Sequence, residues 1–313
     1  MSAAQESAGG GNSRVAWLES LRAPVVAAPM FLVTSPAIVT ASCRVGIAAV
    51  IPALNAESTQ QLDAWLGEIR KSLAETRSTA TRAWGVNLIG HATNKRFNED
   101  LAVVVAHKAP LVVSSVGSPR DIVAAVHEYG GAVFSDVIHI EHARKAAQAG
   151  VDGLVLICAG AGGNTGWINP FAFLKEVRTF FKGVIAVAGG ITDGAQVRAL
   201  QSLGADLAYI GTPFIATAES DAGQAYKEAV AASALSDIVL SNALSGLPAN
   251  VMKVSLQRMG VTGRNSRQLD VTGWGRSVAW SAGHGIGAVS AIESCEQLVS
   301  RLVLEYEVAV KAG

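Results

Sequence analysis

Two apolar runs that end in glycine lie one helix apart in "VAGGITDGAQVRALQSLGADLAYIGTP", residues 187–213. The first run ends in Gly189 and Gly190, and the second ends in Gly211 and Thr212. Glycine lets the backbone approach a ligand closely, and free backbone N–H groups near the start of a helix bind phosphate. We therefore predict that these four residues bind a phosphate group, with ordinary turn glycines as the alternative.

The elements that must position these glycines are apolar, β-branched runs separated by helical segments. Strands without apolar/polar alternation, separated by helices, indicate a parallel sheet covered by helices. The eight runs are residues 24–30, 46–54, 83–89, 110–116, 132–137, 152–158, 183–189 and 206–211. Eight such units predict an α/β fold, the TIM (β/α)8 barrel. A doubly wound open sheet is the alternative, but its glycine fingerprint does not follow the first strand. In a barrel, the loops after the seventh and eighth strands frequently bind phosphate.

Two of the helical segments carry clear boundary signals. The segment 58–77 has an apolar face with helical period, and Ser58 is placed to cap its N-terminus. In the later segment we expect Thr192 to be the cap and Gly204 the stop. Its predicted buried residues are Val197, Leu200 and Leu203.

The chain divides into three parts by pattern. Residues 1–14 are polar and glycine-rich and are expected to be a disordered leader. Residues 15–220 form the barrel, and residues 221–313 form a mainly helical segment that packs on or over it. The glycine-rich stretch 280–289 lies within this last segment.

Composition excludes several classes of protein. The net charge is zero, with 25 basic and 25 acidic residues that do not cluster, so nucleic acid and anionic membranes are not expected partners. The apolar runs are too short for a membrane helix, which needs roughly 20 residues. The three cysteines, Cys43, Cys158 and Cys295, form no CxxC pair, so we expect a cytoplasmic protein without disulfides or a metal site.

Six motifs in order along the chain resemble a known family. They are "APM" at 28–30, "GVNL" at 85–88, "GAGG" with a glycine three residues on, beginning at Gly160, "AGGITDG" at 188–194, "YIGTPFIATAES" at 209–220 and "WSAGHGIG" at 280–287. Together they are similar to the nitronate monooxygenases, formerly called 2-nitropropane dioxygenases. The resemblance runs from about Pro24 to Tyr306.

The resemblance implies an FMN-dependent barrel that oxidises alkyl nitronates with O2 to a carbonyl compound and nitrite. The residues that it places at the cofactor are Ala28, Pro29, Met30, Asn87, Gly162, Gly189, Gly190, Gly211 and Thr212. The last four would contact the phosphate. Met30 as a core side chain and Asn87 as a partner of a strand-end backbone group are the alternatives.

One departure from the family pattern affects catalysis. After the sixth strand the family has histidine as the acid/base group, and this chain has Asn164. Asparagine donates and accepts hydrogen bonds but takes no proton at neutral pH. His284 stands where the family commonly has glutamine, and it is the candidate replacement base. Ser281, in the same glycine-rich motif, is the third catalytic candidate.

The sequence thus predicts an FMN-dependent oxidoreductase acting on a small molecule and O2, with a homo-oligomer as an open possibility. One alternative is an NAD(P)H-dependent flavin reductase acting on enoyl thioesters or quinones. The other is a barrel protein or lyase that binds a substrate phosphate without redox chemistry.

Overall fold

Eight parallel strands close into a barrel in a computed structural model that describes residues 13–76, 81–242, 246–260 and 279–312. The eight predicted runs supply these strands, so the TIM barrel is confirmed. The barrel strands are β1 (Val25–Ala27), β2 (Ala48–Pro52), β3 (Trp84–Ile89), β4 (Leu111–Ser115), β5 (Ala132–Val137), β6 (Gly153–Ile157), β8 (Val184–Ala188) and β9 (Leu207–Ile210), while β7 (Gly163–Asn164) lies outside the barrel.

The connecting helices surround the barrel, and the last helix of the chain completes the ring. They are α1 (Pro36–Val45), α2 (Thr59–Ala74), α3 (Phe97–Ala106), α4 (Arg120–Glu128), α5 (Ile140–Gln148), α6 (Pro170–Arg178), α7 (Gly194–Ser202), α8 (Thr212–Ile215), α9 (Gln224–Ala231), α10 (Lys253–Arg258) and α11 (Cys295–Ala312). Because α8 is a single turn, α11 takes the eighth place and packs against α7 and α1. The contact is close: a Cβ on Gly194 would lie 2.0 Å from the backbone nitrogen of Tyr306.

The cap prediction is confirmed for α2 and wrong for α7. The Ser58 hydroxyl accepts a hydrogen bond from the Gln61 N–H, as expected. In α7 the cap is Asp193, whose carboxylate accepts from the Gln196 N–H at 2.7 Å, whereas Thr192 is buried and its own N–H donates to Gln196 Oε1. Leu203 was predicted to be buried but is 51% exposed, because α7 ends one residue earlier.

A 3₁₀ helix at Ser13–Ser20 covers the N-terminal end of the barrel. Trp17 packs on the barrel-interior side chain of Phe134, with ring centroids 6.1 Å apart. Arg14 donates from Nε to Asp152, just before β6, at 2.8 Å. The predicted disordered leader is therefore wrong for residues 13 and 14, which this end of the barrel holds in place. Residues 1–12 lie outside the described part of the chain.

The described part of the segment after residue 220 contains the helices α9, α10 and α11 and also two strands. They are β10 (Ile238–Ser241) and β11 (Ala249–Met252), which pair antiparallel, and β11 pairs in turn with β7. This small sheet ties the C-terminal segment to the loop that follows β6. Among the described helices, none has the length and apolar composition needed to cross a membrane.

Candidate active site at the carboxyl ends of the barrel strands

The loops after β8 and β9 present backbone without side chains, as the sequence predicts. Gly189 and Gly190 have φ of +134° and +74°, which side chains rarely tolerate. Within the described residues, the N–H groups of Gly190, Gly211 and Thr212 donate no hydrogen bond. A Cβ on Gly190 would meet only His284 Cβ, at 3.9 Å. These unused donors lie next to open space and fit an anionic group.

The loop after β1 lies beside the β9 loop. Ala28 extends the β1 pairing because its N–H donates to the Ile210 carbonyl at 2.8 Å. Met30 follows it across Pro29, and a Cβ on Gly211 would lie 3.4 Å from Met30 Sδ. All three residues of this loop are half-buried at the carboxyl end of β1, and Ala28 and Met30 also pack against the hydrophobic core.

The glycine-rich tail passes over these loops. The Gly283 N–H donates to Thr212 Oγ1 at 2.9 Å, and the His284 N–H donates to the Gly160 carbonyl at 2.9 Å. A Cβ on Gly162 would lie 2.7 Å from the Gly283 nitrogen, so the β6 loop needs glycine where the tail crosses it. The tail therefore covers the ends of β6, β8 and β9.

Tyr226 of α9 holds the start of this tail. Its hydroxyl donates to the Ser281 carbonyl and accepts from the Ser281 N–H at 3.0 Å. The Tyr226 ring stacks on the Trp280 ring, with centroids 5.2 Å apart. The Arg258 guanidinium carbon lies over the Trp280 ring, 4.1 Å from its centroid. The backbone of Ser281 is thus fixed at the edge of the site.

The structure separates the two candidates for proton transfer. Asn164 lies in β7, paired with Ala249 of β11, and it is exposed. His284 is also exposed, but its ring lies against the β6 loop, where a Cβ on Gly160 would be 3.1 Å from His284 Nδ1. No hydrogen bond joins the two side chains among those of the described residues. His284 lies where the β6 and β8 loops meet, next to Gly190.

Four polar side chains, defined here as the polar floor, face inward near the ends of β3, β4, β5 and β9. They are Asn87, Ser115, Asp136 and Tyr209. The Asn87 amide donates to Ser115 Oγ at 2.6 Å and to the Val113 carbonyl at 3.0 Å, and the Ser115 hydroxyl donates to Asp136 Oδ2. The Tyr209 hydroxyl is buried and has no hydrogen-bond partner in the described ranges.

Burial raises the pKa of Asp136 from 3.8 to about 6, although the hydrogen bond from Ser115 acts in the opposite direction. Burial also raises the pKa of Tyr209 well above its ordinary value, with a smaller contribution from the Asp136 charge. By contrast, the nearby Cys158 thiol is buried and its pKa is raised to about 12, so it is no nucleophile at neutral pH.

Sequence reasoning found Asn87 but missed the other three members of the polar floor. Ser115, Asp136 and Tyr209 lie inside runs that were interpreted as apolar strands. The sequence did contain a signal for Asp136, because an acidic residue within an otherwise apolar strand lowers stability and therefore indicates a functional position.

The described residues fit a flavin mononucleotide. The unused amides of Gly190, Gly211 and Thr212 suit a phosphate, the half-buried loop at 28–30 suits an apolar ring face, and Asn87 supplies a polar group. No group of three or more potential metal ligands occurs in the described ranges.

The chain is similar to known proteins in sequence and in fold. The family model described as nitronate monooxygenase matches residues 51–261, more than half of the chain. A nitronate monooxygenase of Paraburkholderia phytofirmans is 25% identical over 315 residues, covering 85% of this chain and 82% of that protein. A 5-hydroxy-7a-methyl-1-oxo-octahydro-1H-indene-4-carboxyl-CoA dehydrogenase of Rhodococcus jostii is 25% identical over 76% of this chain and 65% of that protein.

Solved structures share the fold. A nitroalkane oxidase from Streptomyces ansochromogenes has a TM-score of 0.81 at 22% identity and covers 94% of this chain and 99% of its own. FabK from Thermotoga maritima has a TM-score of 0.77 at 23% identity, with coverage of 97% and 98%.

Proposed function

The chain belongs to the nitronate monooxygenase family and is an oxidoreductase, and from this we propose that it binds FMN and oxidises alkyl nitronates with O2. The products would be a carbonyl compound and nitrite. The observation that carries the proposal is the set of unused amides at Gly190, Gly211 and Thr212, next to the open end of the barrel.

Each part of the site has a distinct task in this proposal. The amides of the β8 and β9 loops hold the phosphate, and the loop at 28–30 supports the ring system. FMN, when bound, supplies the electron-transfer chemistry that side chains lack. The tail at 282–285 excludes water from the ends of β6, β8 and β9, and the Ser281 backbone anchors it.

Asn164 and His284 determine the expected substrate form. A nitronate has already lost its α-proton, whereas a neutral nitroalkane still needs a base, which typically contributes about 10²–10⁴-fold to such a step. Asn164 can orient an anionic substrate by donating hydrogen bonds but cannot act as that base. His284, beside Gly190, is the imidazole available for neutral nitroalkanes.

A substitution at Gly190 tests the phosphate site. Gly190→Ala places a methyl group in the open space beside the unused amides and should weaken FMN binding by about tenfold or more, the effect of about 1.4 kcal/mol. Gly130→Ala is the matched control, because Gly130 has a similar φ of +84° and nothing within 4 Å of a Cβ, so it reproduces the backbone strain alone.

The measurement is FMN affinity by fluorescence quenching, with mass spectrometry of the released cofactor to distinguish FMN from FAD. Equal FMN affinity in the two variants would show that the phosphate lies elsewhere. Recovery of FAD would contradict the assignment of FMN.

An NAD(P)H-dependent flavin reductase is the second candidate, favoured by Asn164 in place of a base and by the similarity to a CoA-thioester dehydrogenase. Anaerobic titration of the yellow protein separates the two. We expect nitronates to bleach the flavin absorbance and NADH to leave it unchanged; the reverse result would establish the reductase. A colourless protein that binds no flavin would point instead to a barrel that binds a substrate phosphate without redox chemistry.

The same anaerobic titration, repeated with neutral nitroalkanes, tests the role of His284. If His284 is the base, His284→Gln should abolish bleaching by neutral nitroalkanes and spare bleaching by nitronates. Loss of both activities would assign His284 a structural role in the tail.

A further inference from the structure

We propose that Asp136 is a positioning residue that fixes the Asn87 amide through the Ser115 hydroxyl, so that Asn87 Oδ1 faces the ligand as a hydrogen-bond acceptor. The inference rests on the proposed flavin site, because the group that donates a hydrogen bond to this oxygen is the FMN ring system.

Counting hydrogens along the chain of hydrogen bonds fixes the orientation. The Val113 carbonyl can only accept, so the Asn87 atom beside it, at 3.0 Å, must be the amide nitrogen. The second amide hydrogen then points to Ser115 Oγ at 2.6 Å. Ser115 has one hydrogen, and because its oxygen accepts from Asn87, that hydrogen is donated to Asp136 Oδ2.

This arrangement leaves one polar atom for a ligand. Both hydrogens of the Asn87 amide are used inside the protein, and its Oδ1 has no partner among the described residues. Asn87 is 8% exposed and faces the barrel interior near the carboxyl end of β3, so its oxygen is accessible only from the open end of the barrel. An N–H donor of a bound ring system is the complementary group.

The surroundings of Asp136 show that its carboxylate is not kept for stability. No Lys, Arg or His side chain in the described ranges pairs with it. On β4 it faces Ser115, on β9 the buried Tyr209 hydroxyl is the titratable group that feels its charge, and the inward residues of β6 nearest to it are Val155 and Ile157. An inward carboxylate without a cation costs stability, so a neutral acceptor would serve packing better.

The charge gives the site a property that a neutral acceptor lacks. Because burial raises the pKa of Asp136 to about 6, the protonated and ionised forms are both populated slightly below neutral pH. Protonation offers Ser115 a competing donor and weakens the preference that makes Ser115 accept from Asn87. The hydrogen bond that holds the second amide hydrogen of Asn87 is thereby linked to pH, whereas the Val113 carbonyl holds the first amide hydrogen in both forms.

Three variants test the relay. Asp136→Ala removes the acceptor, Ser115→Ala removes the connection, and Asp136→Asn keeps an oxygen acceptor but removes the charge. Asp206→Asn is the control for a carboxylate-to-amide change away from the site, because Asp206 lies before β9 at the opposite end of the barrel, where it accepts from the Ile185 N–H and pairs with Arg178.

The readouts are FMN affinity and the absorption spectrum of bound FMN between pH 5 and pH 8. Asp136→Ala and Ser115→Ala should each weaken FMN binding by about tenfold, and their combination should be no weaker than either alone, because both break one chain of contacts. Asp136→Asn should restore near-wild-type affinity. The wild-type spectrum should change with a midpoint near pH 6, and this change should be absent both when Asp136 is replaced and when Ser115→Ala removes its connection to Asn87.

The inference is overturned if Asp136→Ala and Ser115→Ala leave FMN affinity and spectrum unchanged, or if Asp136→Asn retains the pH-dependent spectral change. Should Asp136→Ala not fold, Ser115→Ala and Asp136→Asn decide the matter alone. A wild-type protein that binds no FMN at all would overturn the proposed function together with the inference, whereas normal FMN binding in every variant would overturn the inference only.

Discussion

Asp152 and Asp136 lie at opposite ends of the same barrel, and their partners differ in kind. At the N-terminal end, the Asp152 carboxylate accepts from Arg14 Nε at 2.8 Å, His127 Nε2 at 2.8 Å and the Val133 N–H at 2.9 Å. At the carboxyl end, Asp136 receives a hydrogen bond from the neutral Ser115 hydroxyl.

The difference separates a structural aspartate from one kept for a ligand. The N-terminal end is closed by the 3₁₀ helix at Ser13–Ser20, so a charge there must be compensated by the protein. The carboxyl end of the strands is where barrels bind ligands, and a charge left without a cation there can act on the ligand. We therefore expect replacement of Asp152 and replacement of Asp136 to change the free energy of unfolding in different ways.

The largest effect is expected at Asp152. Asp152→Ala leaves Arg14 without this partner and the Val133 N–H without its acceptor, and it should lower the free energy of unfolding by about 3–5 kcal/mol. Urea denaturation measures the loss. Asp152→Asn, which still accepts from Val133, should lose less, and a loss below about 1 kcal/mol for the alanine variant would remove the structural role.

Asp136 should behave in the opposite way, with a dependence on pH. Its pKa in the folded protein, about 6, is above the ordinary value of 3.8, so the ionised form is disfavoured by folding. The stability contributed by the protonated form is complete below about pH 4 and is lost as pH rises through 6. Asp136→Asn should therefore increase the free energy of unfolding at pH 8, by up to about 3 kcal/mol, and leave it nearly unchanged at pH 4.

Urea denaturation of wild type and Asp136→Asn at the two pH values checks this prediction. An equal change at pH 4 and pH 8 would mean that the effect comes from packing and not from ionisation.

The smallest effect concerns the clamp on the tail at the open end. Tyr226→Phe removes the hydroxyl that bonds both the carbonyl and the N–H of Ser281, while the stacking on Trp280 is kept. We expect a loss of about 1 kcal/mol in global stability. Hydrogen exchange at the amides of residues 281–284 should accelerate more than exchange within β4 or β5. Uniform acceleration over the whole barrel would contradict a local role.

Much of the fold was predictable because the signals are local. Apolar runs of six to nine residues identified all eight barrel strands, and the Ser58 hydroxyl identified the start of α2. Local signals place a helix boundary only to within one residue. Thr192 and Asp193 are both favourable N-cap residues, and only the extended backbone conformation at Asp193 selects it as the cap of α7. The pairing of β7 with β11 joins segments about 85 residues apart, which no local pattern encodes.

The sequence alone located the glycines at the ends of β8 and β9, because glycine readily adopts a positive φ, as at Gly189 and Gly190, and leaves backbone N–H groups uncovered. Tertiary structure decided which other side chains join them. Asn87, Ser115 and Asp136 come from three strands, and only the register of β3 on β4 and of β4 on β5 brings them into one hydrogen-bonded chain. The physical reason is that strand alternation fixes which face a residue occupies, whereas the closure of the barrel fixes which residues of neighbouring strands share a level.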